Sequence, residues 1–352
     1  MRNPAFKLSI LDQSPANDSE TSTEAFQHTT ELARKAEEWG YNRFWVAEHH
    51  GSNRVIGSSP EVLIAHLLAK TTRIRVGSGG VMLQHYSPYK VAENFNVLAS
   101  LAPGRVDLGI GRGPGGLPQS TKALQWDAVD GPMPLAEKVS ELQRFLHNKL
   151  EKGHPFHGLR ASPLPTQPPD LFMLGTNASS GEFAAELGMP YVFALFLHND
   201  EDVMHQAIET YRNRFDCSTG ASPQAMLALP VIVADTDEEA ARYASEVKVV
   251  RIKLESGRTL TVGNLEAGEE FGRQSGEQYK IEVSDANVIH GSPETALNKL
   301  MEVQRVYDAQ EIFAVTAIDS FQKRLRSYEL LGDIYQKAAA RASSQAPSKG
   351  LY

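Results

Sequence analysis

The sequence predicts a single (β/α)8 barrel, and three observations carry that expectation. Eight short apolar runs alternate with helical stretches along most of the 352 residues. The runs are apolar without strict alternation, as strands covered on both faces should be. Several of them end abruptly in titratable residues or glycine, which is where barrels carry their chemistry. No linker divides the chain, so residues 1–341 read as one domain.

The first run is Phe6-Lys7-Leu8-Ser9-Ile10-Leu11. A helix over 23–39 follows, because Ala25, Leu32, Ala36 and Trp39 recur at spacings of 7, 4 and 3 and Gly40 stops them. A second run, Phe44-Trp45-Val46-Ala47, breaks into Glu48-His49-His50. Residues 60–70 are helical, with Val62, Leu63, His66 and Leu67 near one face. The third strand, 74–80, runs into Gly79-Gly80, and Pro88 opens a helix that reaches Leu101. The fourth strand is 105–111, and Leu135, Val139, Leu142 and Leu146 mark a helix within 134–150. Residues 151–169, dense in proline, read as an irregular loop. Strand 171–174, helix 179–187, strand 191–196, helix 200–215, strand 225–234 and helix 237–254 then succeed one another. A helix at 293–306, an eighth strand at 311–317 and a helix at 319–341 close the series. Residues 256–286 do not fit: they lack periodicity and read as a structureless insertion after the seventh strand, an active-site lid. Residues 342–352 read as a loose tail.

Composition narrows the function. Net charge is −8, with no stripe of basic residues, which argues against nucleic acid as a partner. No stretch approaches the roughly 20 apolar residues of a membrane span, and no secretion signal opens the chain. Cys217 is the single cysteine, which excludes an internal disulfide or a thiolate metal cluster and fits a reducing cytoplasm.

The strand ends bring together Asp12, Glu48, His49, His50, Ser78, Gly79, Gly80, Arg112, Gly113, Gly175, Thr176, Asn177, Phe196 and His198. Such a set suits an anionic, aromatic ligand. Gly79-Gly80 lets backbone approach a flat ring, or else marks a simple bend. Arg112 can fork onto a phosphate. The run from Gly175 through Thr176, Asn177, Ser179 and Ser180 leads from strand to helix, so it offers either a phosphate seat or plain N-capping by Asn177 or Ser179. Gly111-Arg112-Gly113-Pro114-Gly115-Gly116 matches a dinucleotide fingerprint, but Pro114 and Pro118 interrupt it, no helical face starts there, and it follows the fourth strand. A metal at Glu48-His49-His50 is disfavoured because neighbouring strand residues point to opposite faces.

The segments at 44–50 (containing VAEHH), 75–95 (RVGSGGVMLQHYSPYKVAENF) and 174–191 (LGTNASSGEFAAELGMPY) resemble, in order, the bacterial luciferase-like flavin-dependent monooxygenases, single-chain branch. His290-Gly291-Ser292-Pro293-Glu294 and the run at 324–331 fit as well. The resemblance implies a (β/α)8 barrel that binds reduced FMN from a separate NAD(P)H:flavin reductase and adds O2 to it, forming a flavin hydroperoxide that oxygenates a small, partly apolar molecule such as an aldehyde. It implies that His49 is the catalytic histidine, working as base or hydrogen-bond donor at a pKa near neutrality, with Glu48 its acidic neighbour. It places Gly79 and Gly80 beside the flavin ring at a non-prolyl cis bond, Arg112 on the phosphate, and Thr176, Asn177 and Ser180 on the second phosphate wall. Gly111 stands where luciferase has its reactive cysteine, so no thiol acts there. A homodimer through the helix near 61–68 is implied too. Related barrels use the deazaflavin F420 for hydride transfer, and others bind flavin without turnover; both remain alternatives.

Overall fold

The computed structural model describes residues 4–126 and 133–345. Its elements in chain order begin with β1 (Lys7–Asp12), α1 (Ser22–Glu38), β2 (Arg43–Val46), α2 (Pro60–Lys70), β3 (Arg75–Val81), α3 (Pro88–Leu101) and β4 (Val106–Ile110). There follow α4 (Pro118–Leu124), α5 (Leu135–Leu146), β5 (Asp170–Gly175), α6 (Ala178–Glu186), β6 (Tyr191–Ala194), α7 (Leu195–His198), α8 (Glu201–Arg214) and β7 (Ala225–Val233). The rest are α9 (Asp237–Glu246), β8 (Lys248–Leu254), β9 (Thr259–Val262), α10 (Leu265–Ser275), β10 (Tyr279–Asp285), β11 (Ile289–Gly291), α11 (Pro293–Tyr307), β12 (Glu311–Val315) and α12 (Phe321–Gln345).

Strands β1 to β7 and β12 close into a ring of eight parallel strands, sealed by the β6–β7 and β12–β1 pairings. The expected barrel is therefore present. Strand parity builds it in two apolar layers. Leu11, Trp45, Phe172, Leu174, Val192, Met226 and Phe313 fill the interior, while Ile10, Phe44, Val76, Leu108 and Ile312 face the helices. Below the inner layer, near the strand starts, lies a buried ionic network. Asp107 accepts from Arg43 Nη1 at 2.8 Å, Trp45 Nε1 at 2.9 Å and Arg75 Nε at 2.9 Å. Glu311 accepts from Arg43 Nε at 3.0 Å, from Asn42 Nδ2 at 2.8 Å and from the Ser9 hydroxyl.

Several sequence expectations change. The helix read over 237–254 stops at Glu246, and 248–254 is strand β8, whose alternation of valine, isoleucine and leucine with charged residues has a period of two. Residues 256–286 are not structureless. They form β9, α10 and β10, and β8 is the middle strand of an antiparallel β10-β8-β9 sheet. Ile252, Leu254 and Phe271, with Leu260, Val262 and Ile281, give this subunit of the fold its own small core. Its apolar residues are few and widely spaced, so no periodic signal emerges from the sequence. The strand at 191–196 ends at Ala194, and Leu195–His198 is a helical turn closed by Asn199 at φ 58°. A short helix at 118–124, unexpected after Pro118, buries none of its residues, so it has no apolar face to read. On α2 the buried face is Ile64, Leu67 and Leu68, whereas Val62 and His66 are exposed. Of the expected loose tail, 342–345 continue α12 and 346–352 lie outside the described residues. Among the described residues no helix is long and apolar enough to cross a membrane.

Candidate active site

The carboxyl end of β2 carries the chain from Trp45, inside the barrel, to Glu48, which is fully buried. A buried carboxylate requires donors, and Glu48 has three. His50 Nε2 lies 2.8 Å from its Oε1, the Tyr86 hydroxyl donates to Oε1 at 2.8 Å, and the Met82 amide donates to Oε2 at 3.0 Å. Residues two apart on an extended chain share a face, which is why His50, rather than His49, pairs with Glu48. The backbone holds both histidines: His49 N donates to Gly57 O and His50 N to Gly115 O, each at 2.7 Å.

These contacts set the electrostatics. Burial drives the His49 imidazole down to about 4, with His50 adding to the effect and Glu48 opposing it. His49 is thus neutral at pH 7, and the expectation that it titrates near neutrality is not met. Burial, then the charge of Glu48, pushes the Tyr86 phenol well above its ordinary range. Burial likewise lowers His85, whose Nε2 lies 2.8 Å from Pro114 O.

The Gly79-Gly80 peptide is cis. The glycines answer to the sheet beneath them. A Cβ on Gly79 would sit 2.9 Å from Leu11 Cδ1, and one on Gly80 would sit 2.7 Å from Gly109 O and 2.9 Å from Gly111 N. Packing against backbone therefore demands glycine at position 80, whereas the neighbour at position 79 is the movable end of the Leu11 side chain. After this peptide the chain turns through Leu83–His85 into α3.

Arg112, just beyond β4, is exposed, with Nη1 3.3 Å from Ser179 Oγ and its guanidinium 5.9 Å from the Phe183 ring centroid. The β4 end and the start of α6 are thereby brought together, as the sequence suggested. Their side chains divide. The Asn177 side chain accepts from Ser180 N at 3.0 Å, and the buried Ser180 hydroxyl donates to Asn177 O at 2.6 Å and lies 2.9 Å from Tyr191 OH. Those two residues are committed to capping α6, as the N-capping alternative foresaw for Asn177. Gly175 is required by the same cap, since a Cβ there would lie 2.1 Å from Ser180 Oγ. Arg112, Thr176, Ser179 and the first amides of α6 remain available to an anion.

The folded excursion 248–285 leans on both sides of the same mouth. Leu117 joins its core, Gln119 N donates to Gln274 Oε1 at 3.0 Å, Thr261 Oγ1 donates to Leu197 O, and Asn199 Nδ2 donates to Asp285 O at 2.9 Å.

The sequence reading counts 84–86 among the pocket-lining loops but assigns Met82, His85 and Tyr86 no individual role. The available signal was their place in the loop directly after Gly79-Gly80, at the carboxyl end of a barrel strand. Among the described residues no group of three or more His, Cys, Asp or Glu side chains is placed to hold a metal.

Known proteins resemble the chain over most of its length. The chain is 40% identical over 329 residues to an N-acetyl-S-alkylcysteine monooxygenase of Bacillus subtilis, covering 93% of this chain and 97% of that one. It resembles the crystal structure of apo-MsnO8 at a TM-score of 0.75 and 34% identity, covering 94% and 98% of the two chains. It is also 26% identical over 244 residues, 66% of each chain, to the oxygenase component of a flavin-dependent trigonelline monooxygenase from Acinetobacter baylyi. The luciferase-like monooxygenase model matches residues 6–310, and with that span and those relatives the chain belongs to the luciferase-like monooxygenase family.

Proposed function

We propose that this chain is the oxygenase of a two-component system: it takes up reduced FMN made by a separate NAD(P)H:flavin reductase and uses O2 to oxygenate a small organic substrate. The observation that carries the reading is the barrel mouth that joins the buried Glu48, with half-buried His50 and Tyr86 on it, to a cationic seat at Arg112 and the α6 start. The residues fit the group. Arg112, Thr176, Ser179 and the α6 amides offer donors to a phosphate, and the backbone at Gly79-Gly80 carries no side chain toward a ring. Reduced FMN, when bound, supplies the electrons that activate O2.

The protein's own contribution is to position, to hold protons and to exclude water. Glu48 orients His50 through Nε2, as a carboxylate orients a catalytic imidazole elsewhere. His49, neutral and without a side-chain hydrogen bond among the described residues, is free to donate to or accept from a ligand. The 248–285 excursion covers the mouth and keeps it dry. The named activity of the Bacillus subtilis relative makes a thioether, an N-acetyl-S-alkylcysteine, the first substrate class to test, ahead of an aldehyde. We also assign a homodimer in the cytoplasm. The exposed Val62 and His66 line a groove of about 870 Å³ between α1 and α2 that a second copy would cover.

The deciding experiment mixes protein loaded with photoreduced FMN and oxygenated buffer, then follows the return of oxidised-flavin absorbance with and without N-acetyl-S-methylcysteine. Return slower than for free flavin, with the thioether consumed, supports the reading. Return at the free-flavin rate, with no effect of any thioether or aldehyde, rejects it.

A further inference from the structure

Helix α5 carries an ammonium in its apolar stripe. Lys138 is buried beside Val139, Leu142, Phe145 and Leu146, at 9% exposure. Burying a lysine is costly unless its three N–H donors are met. All three acceptors here are carbonyls of one short turn: Gln84 O at 2.9 Å, Tyr86 O at 2.9 Å and Leu83 O at 3.3 Å. Three carbonyls converging on one point need a donor with threefold capacity, and an ammonium is the compact group that supplies it.

The same turn reaches both halves of the candidate site. On one side Met82 N and Tyr86 OH hold the two oxygens of Glu48. On the other, Gln84 Nε2 donates to Gly113 O at 2.7 Å and His85 Nε2 bonds Pro114 O, fixing the loop that follows Arg112. Gln125 adds a tie to His85 Nδ1 at 3.1 Å. The backbone of this turn ties those contacts together, alongside the His50 N–H that reaches Gly115 O directly at 2.7 Å. Leu83 O also accepts from Tyr86 N at 3.1 Å and Gln84 O from Gln125 Nε2 at 3.4 Å, so removing the ammonium strips Tyr86 O of its donor and weakens the hold on the other two, and the turn must shift to find water.

We propose that Lys138 is a positioning residue: its ammonium clamps the Leu83–Tyr86 turn so that Tyr86 stays on Glu48 while Gln84 and His85 hold the Arg112 loop. This rests on the reading of the barrel mouth as the active site, so its test has one arm that does not involve flavin. Flavin-free protein carrying 13C at the tyrosine ring Cζ reports the Tyr86 hydrogen bond, with Tyr86→Phe assigning the resonance and Glu48→Gln giving its position when the carboxylate is lost. Lys138→Met moves the resonance toward the Glu48→Gln position, and Lys138→Arg, which keeps charge and donors, leaves it near wild type. If Lys138→Met does not fold, Lys138→Gln replaces it and gives a smaller shift in the same direction. An unmoved Tyr86 resonance in folded Lys138→Met or Lys138→Gln overturns the proposal, even where stability falls. In the flavin arm, Lys138→Met speeds the return of oxidised-flavin absorbance about tenfold, the weight of one hydrogen bond to a charged group, while FMN affinity stays within about threefold. Equal reoxidation rates in Lys138→Met and wild type also overturn it. Should wild type fail to bind reduced FMN, the flavin reading falls, and the Tyr86 resonance still decides the role of Lys138.

Discussion

Replacing Asp107 by asparagine tests whether the amino-terminal end of the barrel is scaffold rather than site. Asp107 is fully buried and accepts from three donors, Arg43 Nη1, Arg75 Nε and Trp45 Nε1, across its two oxygens. Asparagine keeps one acceptor oxygen and turns the other position into a donor, so at least one of the three donors is left facing an N–H. It also removes the charge that balances two guanidiniums. Breaking a buried pair by removing one partner costs roughly 3–5 kcal/mol. Here Arg43 retains Glu311 and Arg75 retains Asp170, which points to the lower end, about 3 kcal/mol. With an unfolding entropy of about 2.1 cal/mol/K per residue, the 352-residue chain has about 0.74 kcal/mol/K, so Tm should fall by about 4 °C. The assay is thermal denaturation by circular dichroism, alongside the dissociation constant of FMN, which should stay within about threefold because the network lies beneath the apolar plug of Trp45, Phe172 and Phe313. A fall in Tm below about 1 °C would refute the reasoning, because it would mean that water solvates the guanidiniums and that the layer is not dry.

Three further outcomes are expected. Arg112→Met should weaken FMN binding by about tenfold or more, whereas Ser180→Ala, which removes the hydroxyl half of the α6 capping box, should lower Tm with a smaller effect on affinity; fluorescence titration and denaturation separate the two. His49→Ala should abolish product formation while keeping FMN affinity within about threefold, and wild-type turnover by that variant would remove His49 from the chemistry. Glu37 supplies a pH signature. Burial works against its charge, but the amides of Ile74, Arg73 and Thr72 outweigh that and hold its carboxyl at about 2, below the ordinary 4.5. A depressed carboxyl stabilises the fold above the unfolded value and loses that contribution as pH falls from about 4.5 toward 2. The full shift corresponds to about 3 kcal/mol, and partial exposure with solvent screening reduces it to about 1–2 kcal/mol. Urea titrations of Glu37→Gln against wild type should therefore differ at pH 7, draw together below about pH 4.5 and converge only near pH 2; a constant gap would show that the amides are held by something other than charge.

The barrel was legible because most of its strands are buried on both faces and so read as short, largely apolar runs, as in the 225–234 segment. The excursion was not legible, because β10 is exposed along nearly its whole length and α10 buries only Gly268, Phe271 and Gly272. At the site, Glu48, Arg112 and the α6 start stand out since each is a polar residue placed directly after an apolar run. Tyr86 and Lys138 do not, because their roles come from where a turn and a helix meet in space. Lys138 was nonetheless visible as a charge inside the Leu135–Leu142 stripe, a conflict between residue and position that points to a specific partner. That His50, two residues on, is the partner of Glu48 follows from strand alternation, which the sequence contains.

The glycines of β3 and β4 have an evolutionary consequence. A Cβ at Gly77 would lie 2.6 Å from Asp107 O, one at Gly80 2.7 Å from Gly109 O, and one at Gly109 2.3 Å from Ser78 O. Every one of those neighbours is backbone, which cannot be trimmed by a second substitution elsewhere. This wall of the barrel is closed to innovation: no compensating mutation makes room for a side chain. Room for new substrates is therefore left to the strand-end loops and the 248–285 excursion, a three-stranded sheet with its own small core apart from the ring.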